Sequence, residues 1–341
     1  MSLTIDAQDR PASRNDFTTA IVCALAEEAT PVQALFDKYF DRYSKFYGRA
    51  DGDRNVYFNG LLAGHKVVVS YLPDMGTRGA AATLASLRSS YTELQLVLVV
   101  GICGGMPSGP SPKSPQRYLG DVIIADKLFV YDYGKQQPGE FKHTNPFRTH
   151  NDEAKSLLKS LEGEDNLAFF REQFVATVDA LLKTREKWRA PDAKTDVVYG
   201  PSYHHKHREE HARRCSCSAA DAICDAATKA SCEELECAES AIIRTRTDVE
   251  DANIFIGPMA SADTVMRSGE TREALAKKGE VIGFEMEGSG AWDGAVPCII
   301  VKGITDYADS HKNKEWRLYA AATGAAAAKT FLDHWSVQTK C

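Results

Sequence analysis

Strand-sized apolar runs alternate with helical patterns along most of the chain. Thr18 to Ala24 is a continuous run of β-branched and apolar residues and predicts a buried strand. Lys66 to Leu72, Leu94 to Val100, Asp121 to Asp126, Ile254 to Met259, Val281 to Phe284 and Cys298 to Ile304 repeat that signal. Between them, Glu27 to Lys38 sets Val32, Leu35 and Phe36 on one helical face. Arg78 to Tyr91 is an alanine-rich helix opened by Gly76 and Gly79, and Glu315 to Trp335 predicts a long closing helix. Near-continuous apolar strands separated by helices predict an α/β fold whose largely parallel sheet is covered on both faces.

The rhythm breaks in two places. Met1 to Asp16 is short and polar and reads as a disordered leader, so the ordered domain is expected at 17–335. From about 151 to 251 the alternation gives way to helical patterns, a histidine cluster and a cysteine-rich stretch. This segment reads as an insertion on one edge of the domain rather than a second catalytic unit. Ser108 to Arg117 is a smaller Pro/Ser-rich loop, and no internal repeat is present.

Composition narrows the classes. The 341 residues suit one large domain or two small ones. Lys and Arg number 41 against 47 Asp and Glu, a net charge of −6, which argues against a nucleic-acid partner. No apolar run approaches about 18 residues, so no membrane-spanning helix is expected. The polar N-terminus lacks the apolar core of a secretory signal, which makes the cytoplasm the expected compartment and keeps most cysteines reduced.

Three carboxylate motifs fall at the ends of predicted strands, where open α/β sheets bind their ligands. Glu27 and Glu28 sit at a strand-to-helix junction, where acidic residues also favour the helix dipole. Glu285 and Glu287, in Phe284-Glu285-Met286-Glu287-Gly288, would share one strand face unless the strand breaks at the glycines. Asp306, in Gly303-Ile304-Thr305-Asp306-Tyr307-Ala308-Asp309, follows the last buried strand directly. It is either a helix cap or a partly desolvated acid able to donate a proton. Gly101-Ile102-Cys103-Gly104-Gly105 is a glycine turn through which backbone approaches a ligand, without the spacing of a dinucleotide fingerprint or the Lys-Ser/Thr of a P-loop.

In this order, the motifs A-x-x-E-E, G-x-x-G-G, F-E-M-E-G and G-I-T-D-Y-A-D resemble the nucleoside phosphorylase and nucleosidase superfamily, which includes purine nucleoside phosphorylase and methylthioadenosine nucleosidase. The stretch Asp306 to Lys314 looks most like its fungal-type branch, where the domain occurs alone or at the front of longer chains. The resemblance implies a three-layer α/β/α fold with a largely parallel or mixed central sheet. It implies that Asp306 protonates or hydrogen-bonds purine N7, that Glu287 binds the ribose hydroxyls and that Met286 packs beneath the sugar. Glu28 aligns with the base that orients the attacking water. Val265 and Met266 fall where the family lines its base pocket, and Ile102, Cys103 and Gly104 form the turn beside the substrate. Lys302 is expected to neutralise Glu285.

The implied reaction is hydrolysis of a purine ribonucleoside to base and ribose, without metal or redox cofactor. Phosphorolysis is the runner-up. The resembled phosphorylases hold phosphate with an arginine where this chain has Val99 and a hydroxyl where it has Ile102, and Glu27 and Glu28 occupy the phosphate loop. Arg78 is the nearby cation that keeps phosphate in play, although a surface arginine at a helix start is the preferred reading. A catalytically idle nucleoside-sensing module is an alternative of a different class. A dinucleotide-dependent oxidoreductase lacks its fingerprint. The substrate-sized partner is a purine nucleoside, and a homo-oligomer is expected.

The insertion carries five of the nine cysteines, Cys215, Cys217, Cys224, Cys232 and Cys237, preceded by His204, His205, His207 and His211. A structural zinc site, disulfides, and reduced cysteines packed as small hydrophobes are the three readings this composition allows.

Overall fold

A computed structural model describes residues 10–109, 114–208, 212–219, 221–292, 294 and 296–337. Strands β1 to β14 span Thr19–Cys23, Lys38–Arg42, Tyr57–Leu62, His65–Tyr71, Leu96–Gly105, Val122–Val130, Gly134–Gln137, Glu140–His143, Phe147–Thr149, Val197–Tyr199, Ile242–Thr245, Ile254–Ser261, Gly283–Glu285 and Cys298–Asp306. Helices α1 to α7 span Ala26–Ala34, Thr77–Ser90, Asp152–Ser160, Glu164–Leu182, Gly269–Gly279, Gly288–Ala291 and Arg317–His334.

The main sheet runs β13-β12-β6-β14-β5-β1-β4-β3-β2, with β9 beside β6. It is mixed. β1 pairs in parallel with β4 and β5, β14 with β5, and β12 with β6 and β13. β14 meets β6 antiparallel, and the far edge β4-β3-β2 is antiparallel throughout. β13 also pairs antiparallel with β5, so this half of the sheet curls back on itself.

Side-chain alternation makes the layers. On β5, Val97 and Val99 face the cluster that contains Ala80, Leu84 and Leu87 of α2. Leu96, Leu98 and Val100 face the opposite cluster with Val32 of α1, Phe170 and Phe174 of α4, and Phe331 of α7. The apolar strands are therefore covered on both sides, giving the expected α/β/α sandwich. Helix α7 is buried around nearly its whole circumference, as its run of alanines permits.

Four local readings change. Helix α1 stops at Ala34 and Lys38 already belongs to β2, because Tyr39 and Phe40 join a strand against β3. The glycine cluster is not a turn: β5 continues through Gly105, paired by β14 on one side and β13 on the other. Of the expected leader, residues 1–9 lie outside the described residues. The remainder packs on the domain: Ser13 caps a 3-10 turn at Arg14–Asp16, Pro11 is buried, and Tyr47 Oη donates to its carbonyl at 2.9 Å. The 151–251 segment divides in two. Its helices α3 and α4 belong to the main helical layer through Ala154, Leu158, Phe170 and Phe174, while the Cys/His stretch forms its own small cluster around Cys217, Ala227 and Leu235. Among the described residues no helix is long and apolar enough to cross a membrane.

Candidate active site

The ends of β1, β5, β13 and β14 converge on one cavity of about 450 Å³. Glu28 reaches it from the first turn of α1. Its carboxylate accepts from Leu25 N–H at 2.8 Å, which caps the helix, and from Ile102 N–H at 2.9 Å, which ties it to β5. The helix-terminus role and the functional role thus fall on the same side chain. Burial pushes the Glu28 carboxyl up from its ordinary value; Lys302 opposes that shift and Glu287 adds to it. Gly101 is required here, because a Cβ would run into the Glu28 carboxylate.

The strand ends at Glu285 and α6 begins after Glu287, so both carboxylates reach Lys302 and the cavity but with different hydrogen-bond partners. Glu285 lines the cavity but spends its oxygens on the fold. It accepts from the N–H groups of Glu287 and Gly288 at 2.9–3.0 Å, and from the Ser261 hydroxyl. Glu287 faces the cavity and binds Lys302 Nζ at 2.8 Å. Lys302 is therefore the partner of Glu287 first, with Glu285 at 3.9 Å, rather than chiefly the counter-charge of Glu285. Burial alone would lower its pKa. Glu287, Glu28 and Glu285 outweigh that and hold the ammonium well above its ordinary value.

Asp306 ends β14 directly opposite Gly104 of β5, where a Cβ would come within 3.0 Å of the carboxylate and 2.8 Å of Ala308 Cβ. Thr305 forms an irregularity in the ladder that turns Asp306 toward the cavity. The chain then reverses: Ala308 adopts φ +53° and donates its N–H to Asp306 Oδ1 at 2.8 Å. Lys312 returns over the turn and binds both Asp306 oxygens at 2.9–3.0 Å. Asp306 is thus one half of an ion pair with Lys312, a partner the sequence motif did not name. Tyr307 anchors the turn from below, donating to Asp196 and accepting from Arg244.

Ile102, Cys103 and Gly104 line the cavity as expected. Burial pushes the Cys103 thiol up, so it presents a neutral surface. Met286, Met266 and Val265 line it too; Met266 is buried and Val265 is 46% exposed at the mouth. The loop bearing them is fixed by Asp263, which accepts from both the N–H and the hydroxyl of Thr77 at 2.6 Å and so caps α2 from across the site. Thr305 Oγ1 is buried, on a residue lining the cavity, without a hydrogen-bond partner.

Several lining residues were not anticipated. Arg317 pairs with Glu27 at one wall, while Lys314 and Arg267 contribute further positive charge. Thr228 and Lys229 come from the Cys/His stretch, more than 70 positions before Asp306. Arg78 is exposed and does not line the cavity. Lys312, six residues past Asp306 beyond a tight turn, had a readable signal, and Lys314 and Arg267 stand in or beside stretches already singled out. The others depend on long-range packing.

The sequence pattern of the Phosphorylase superfamily matches residues 18–334, and the chain belongs to that superfamily. Among solved structures it is similar to futalosine hydrolase of Helicobacter pylori, with 18% identity, TM-score 0.54, and 95% of this chain and 100% of that one covered. A mutant 5'-methylthioadenosine/S-adenosylhomocysteine nucleosidase of the same organism, with 5'-methylthioadenosine in its active site, aligns at 17% identity and TM-score 0.54, covering 94% and 99% of the two chains. The Neisseria meningitidis nucleosidase bound to methylthio-immucillin-A aligns at 15% identity and TM-score 0.52, covering 93% and 98%. At this identity the likeness is one of fold. A "nucleotide-binding leucine-rich repeat (NLR)-like protein" of Hyaloscypha variabilis is 28% identical across 97% of this chain, which spans 31% of that protein.

Proposed function

We propose that the chain is a purine nucleoside N-ribohydrolase. The observation that carries this reading is the convergence of Glu28, Glu287 and Asp306, from three distant parts of the sequence, on one cavity. Breaking an N-glycosidic bond builds positive charge on the ribose and negative charge on the leaving base. Glu287 accepts hydrogen bonds from the ribose hydroxyls. Glu28, its pKa raised by burial, takes a proton from water as the water oxygen bonds to C1′. The electron pair of the broken C–N bond passes to the purine, whose N7 takes up a proton through Asp306 beside Lys312, and the proton that Glu28 removed from water goes to solvent as the site resets. Met286 packs against the sugar, and Met266 and Val265 against the base. Structural neighbours crystallised with 5'-methylthioadenosine or methylthio-immucillin-A support a nucleoside in this fold's cavity. In this reading the enzyme works in cytoplasmic purine salvage as a homo-oligomer.

One observation favours phosphate as the second reading: Lys229, Arg267 and Lys314 add positive charge along the cavity. Water is preferred because the carboxylates Glu28 and Glu287 occupy the end where a nucleophile would approach the sugar. The test incubates the protein with adenosine, inosine and guanosine in phosphate-free buffer, then titrates phosphate while ribose, ribose-1-phosphate and free base are measured. Ribose and base without phosphate support the proposal. Ribose-1-phosphate formed only with phosphate reverses the nucleophile, and binding without release of base identifies a sensing module.

A further inference from the structure

The stretch from Gly200 to Ala241 has little regular structure among its described residues, yet it brings metal-ligand side chains together twice. His211 lies outside the described residues. His207 Nδ1 and the Sγ atoms of Cys215, Cys217 and Cys224 all lie within 4.8 Å of one another. The three sulfurs stand 3.6, 3.9 and 3.4 Å from the single nitrogen. A tetrahedral zinc with Zn–S of about 2.3 Å and Zn–N of about 2.0–2.1 Å requires N···S separations near ~3.6 Å. Hydrogen bonding alone does not explain this geometry, since one ring nitrogen gives or accepts one bond and cannot satisfy three thiols. All three cysteines are free of disulfides. Backbone groups complete a second layer: Cys224 N–H points at Cys217 Sγ, and Ala227 N–H at Cys224 Sγ, each at 3.4 Å. Such N–H donors steady the charge of a metal-bound thiolate.

We propose that His207, Cys215, Cys217 and Cys224 form a structural Zn²⁺ site. Four protein ligands of the Cys₃His type close the coordination sphere and leave no position for a substrate. The ligands span a segment with little secondary structure of its own, so the metal supplies the folding energy that a core would otherwise provide.

A separate observation carries a second site. His205 and Cys237 meet His311, with the three ligand atoms within 4.8 Å, and Cys232 Sγ stands 3.7 Å from His205 Nδ1. His205 Nε2 lies 3.0 Å from the Ala230 carbonyl, an arrangement that puts the proton on Nε2 and turns the Nδ1 lone pair toward the sulfurs. His311 is the unusual member: both ring nitrogens are buried without a hydrogen-bond partner among the described residues, with the Asp309 carboxylate 3.8 Å away. Leaving a buried imidazole unsatisfied is costly, and coordination supplies the missing bond. His311 stands next to Lys312 on the loop that follows Asp306. The geometry points to a second Zn²⁺ held by His205, Cys237 and His311, which would join the cysteine-rich stretch to the active-site loop. Thr228 and Lys229, at the cavity, lie between the ligands of the two sites.

The experiment is elemental analysis of the full chain purified under reducing conditions without chelator, together with Co²⁺ replacement. It is independent of which reaction the cavity supports. About two zinc ions per chain are expected, with thiolate-to-cobalt absorption on replacement. C224S should lose one equivalent and C237S the other. One zinc lost in C224S and kept in C237S upholds the first site and overturns the second; the converse overturns the first. Less than about half a zinc per chain, with no cobalt–thiolate bands, overturns both sites, as does intact mass showing these cysteines paired in disulfides. The wild-type metal content and cobalt spectrum decide the question even if a variant fails to fold.

Discussion

Lys302 and Lys312 both face functional carboxylates, in opposite surroundings. Lys302 lies fully buried on the central strand β14, among Glu287, Glu285 and Glu28. Lys312 lies on the loop beyond Asp306, with its side chain 22% exposed, and grips one carboxylate. The buried lysine is a fixed counter-charge that lets three carboxylates share a dry sheet end. The Lys312 side chain is 22% exposed against 10% for Asp306, so the lysine end of this pair is the one that solvent or a ligand can reach. In the proposed hydrolysis the rigid end would bind the sugar and the adjustable end the leaving base.

The largest expected effect is on stability, at the rigid end. Lys302→Met leaves the carboxylates uncompensated and should cost about 3–5 kcal/mol in urea or thermal unfolding. Adding Glu287→Gln should recover part of that loss. A single-variant loss below about 1 kcal/mol would break the contrast between the two lysines.

At the other end the large effect is on rate. Asp306→Asn should lower kcat on purine nucleosides by about 10²–10⁴-fold with the unfolding midpoint nearly unchanged. Near-native turnover would remove Asp306 from the chemistry.

If Glu28 is the base of the proposed hydrolysis, it sets the acid limb of activity. A base works only when deprotonated, and burial raises Glu28 above its ordinary 4.5, so kcat/KM should fall as pH drops through that raised value. Glu28→Gln should lower the rate about 10²-fold and flatten that limb. A limb preserved in the variant would assign it to another group.

The smallest effect belongs to Lys312. Lys312→Ala should cost less in unfolding free energy than Lys302→Met, about 1–2 kcal/mol, since the Lys312 side chain is 22% exposed and that of Lys302 is fully buried. It should lower kcat/KM about tenfold, the worth of one charge-assisted hydrogen bond. A stability loss comparable to that of Lys302→Met would erase the difference between the two ends.

The apolar runs predicted the strands of the sheet centre well, because a strand buried on both faces has few alternatives in composition. β1 and β14 fall within about a residue or two of their expected bounds. The edge strand β2 and its neighbour β3 were not anticipated: β2 is only partly buried, and in the buried β3 Asn59 and Gly60 interrupt the apolar run. Glu28, Glu287 and Asp306 were legible because each stands at a strand end in a recognisable motif, and the cavity gathers all three. The different duties of Glu285 and Glu287 were hidden, because they depend on where the strand stops and α6 begins.

The sequence by itself determined the sandwich, the order of the site motifs and the superfamily, because periodicity and local motifs are short-range properties of the chain. The tertiary structure alone decided which carboxylate Lys302 serves, that Lys312 closes on Asp306, and that the Cys/His stretch meets the active-site loop at His311. Each of these is a charge or ligand contact between segments, and its strength depends on distance and burial, which no local pattern encodes.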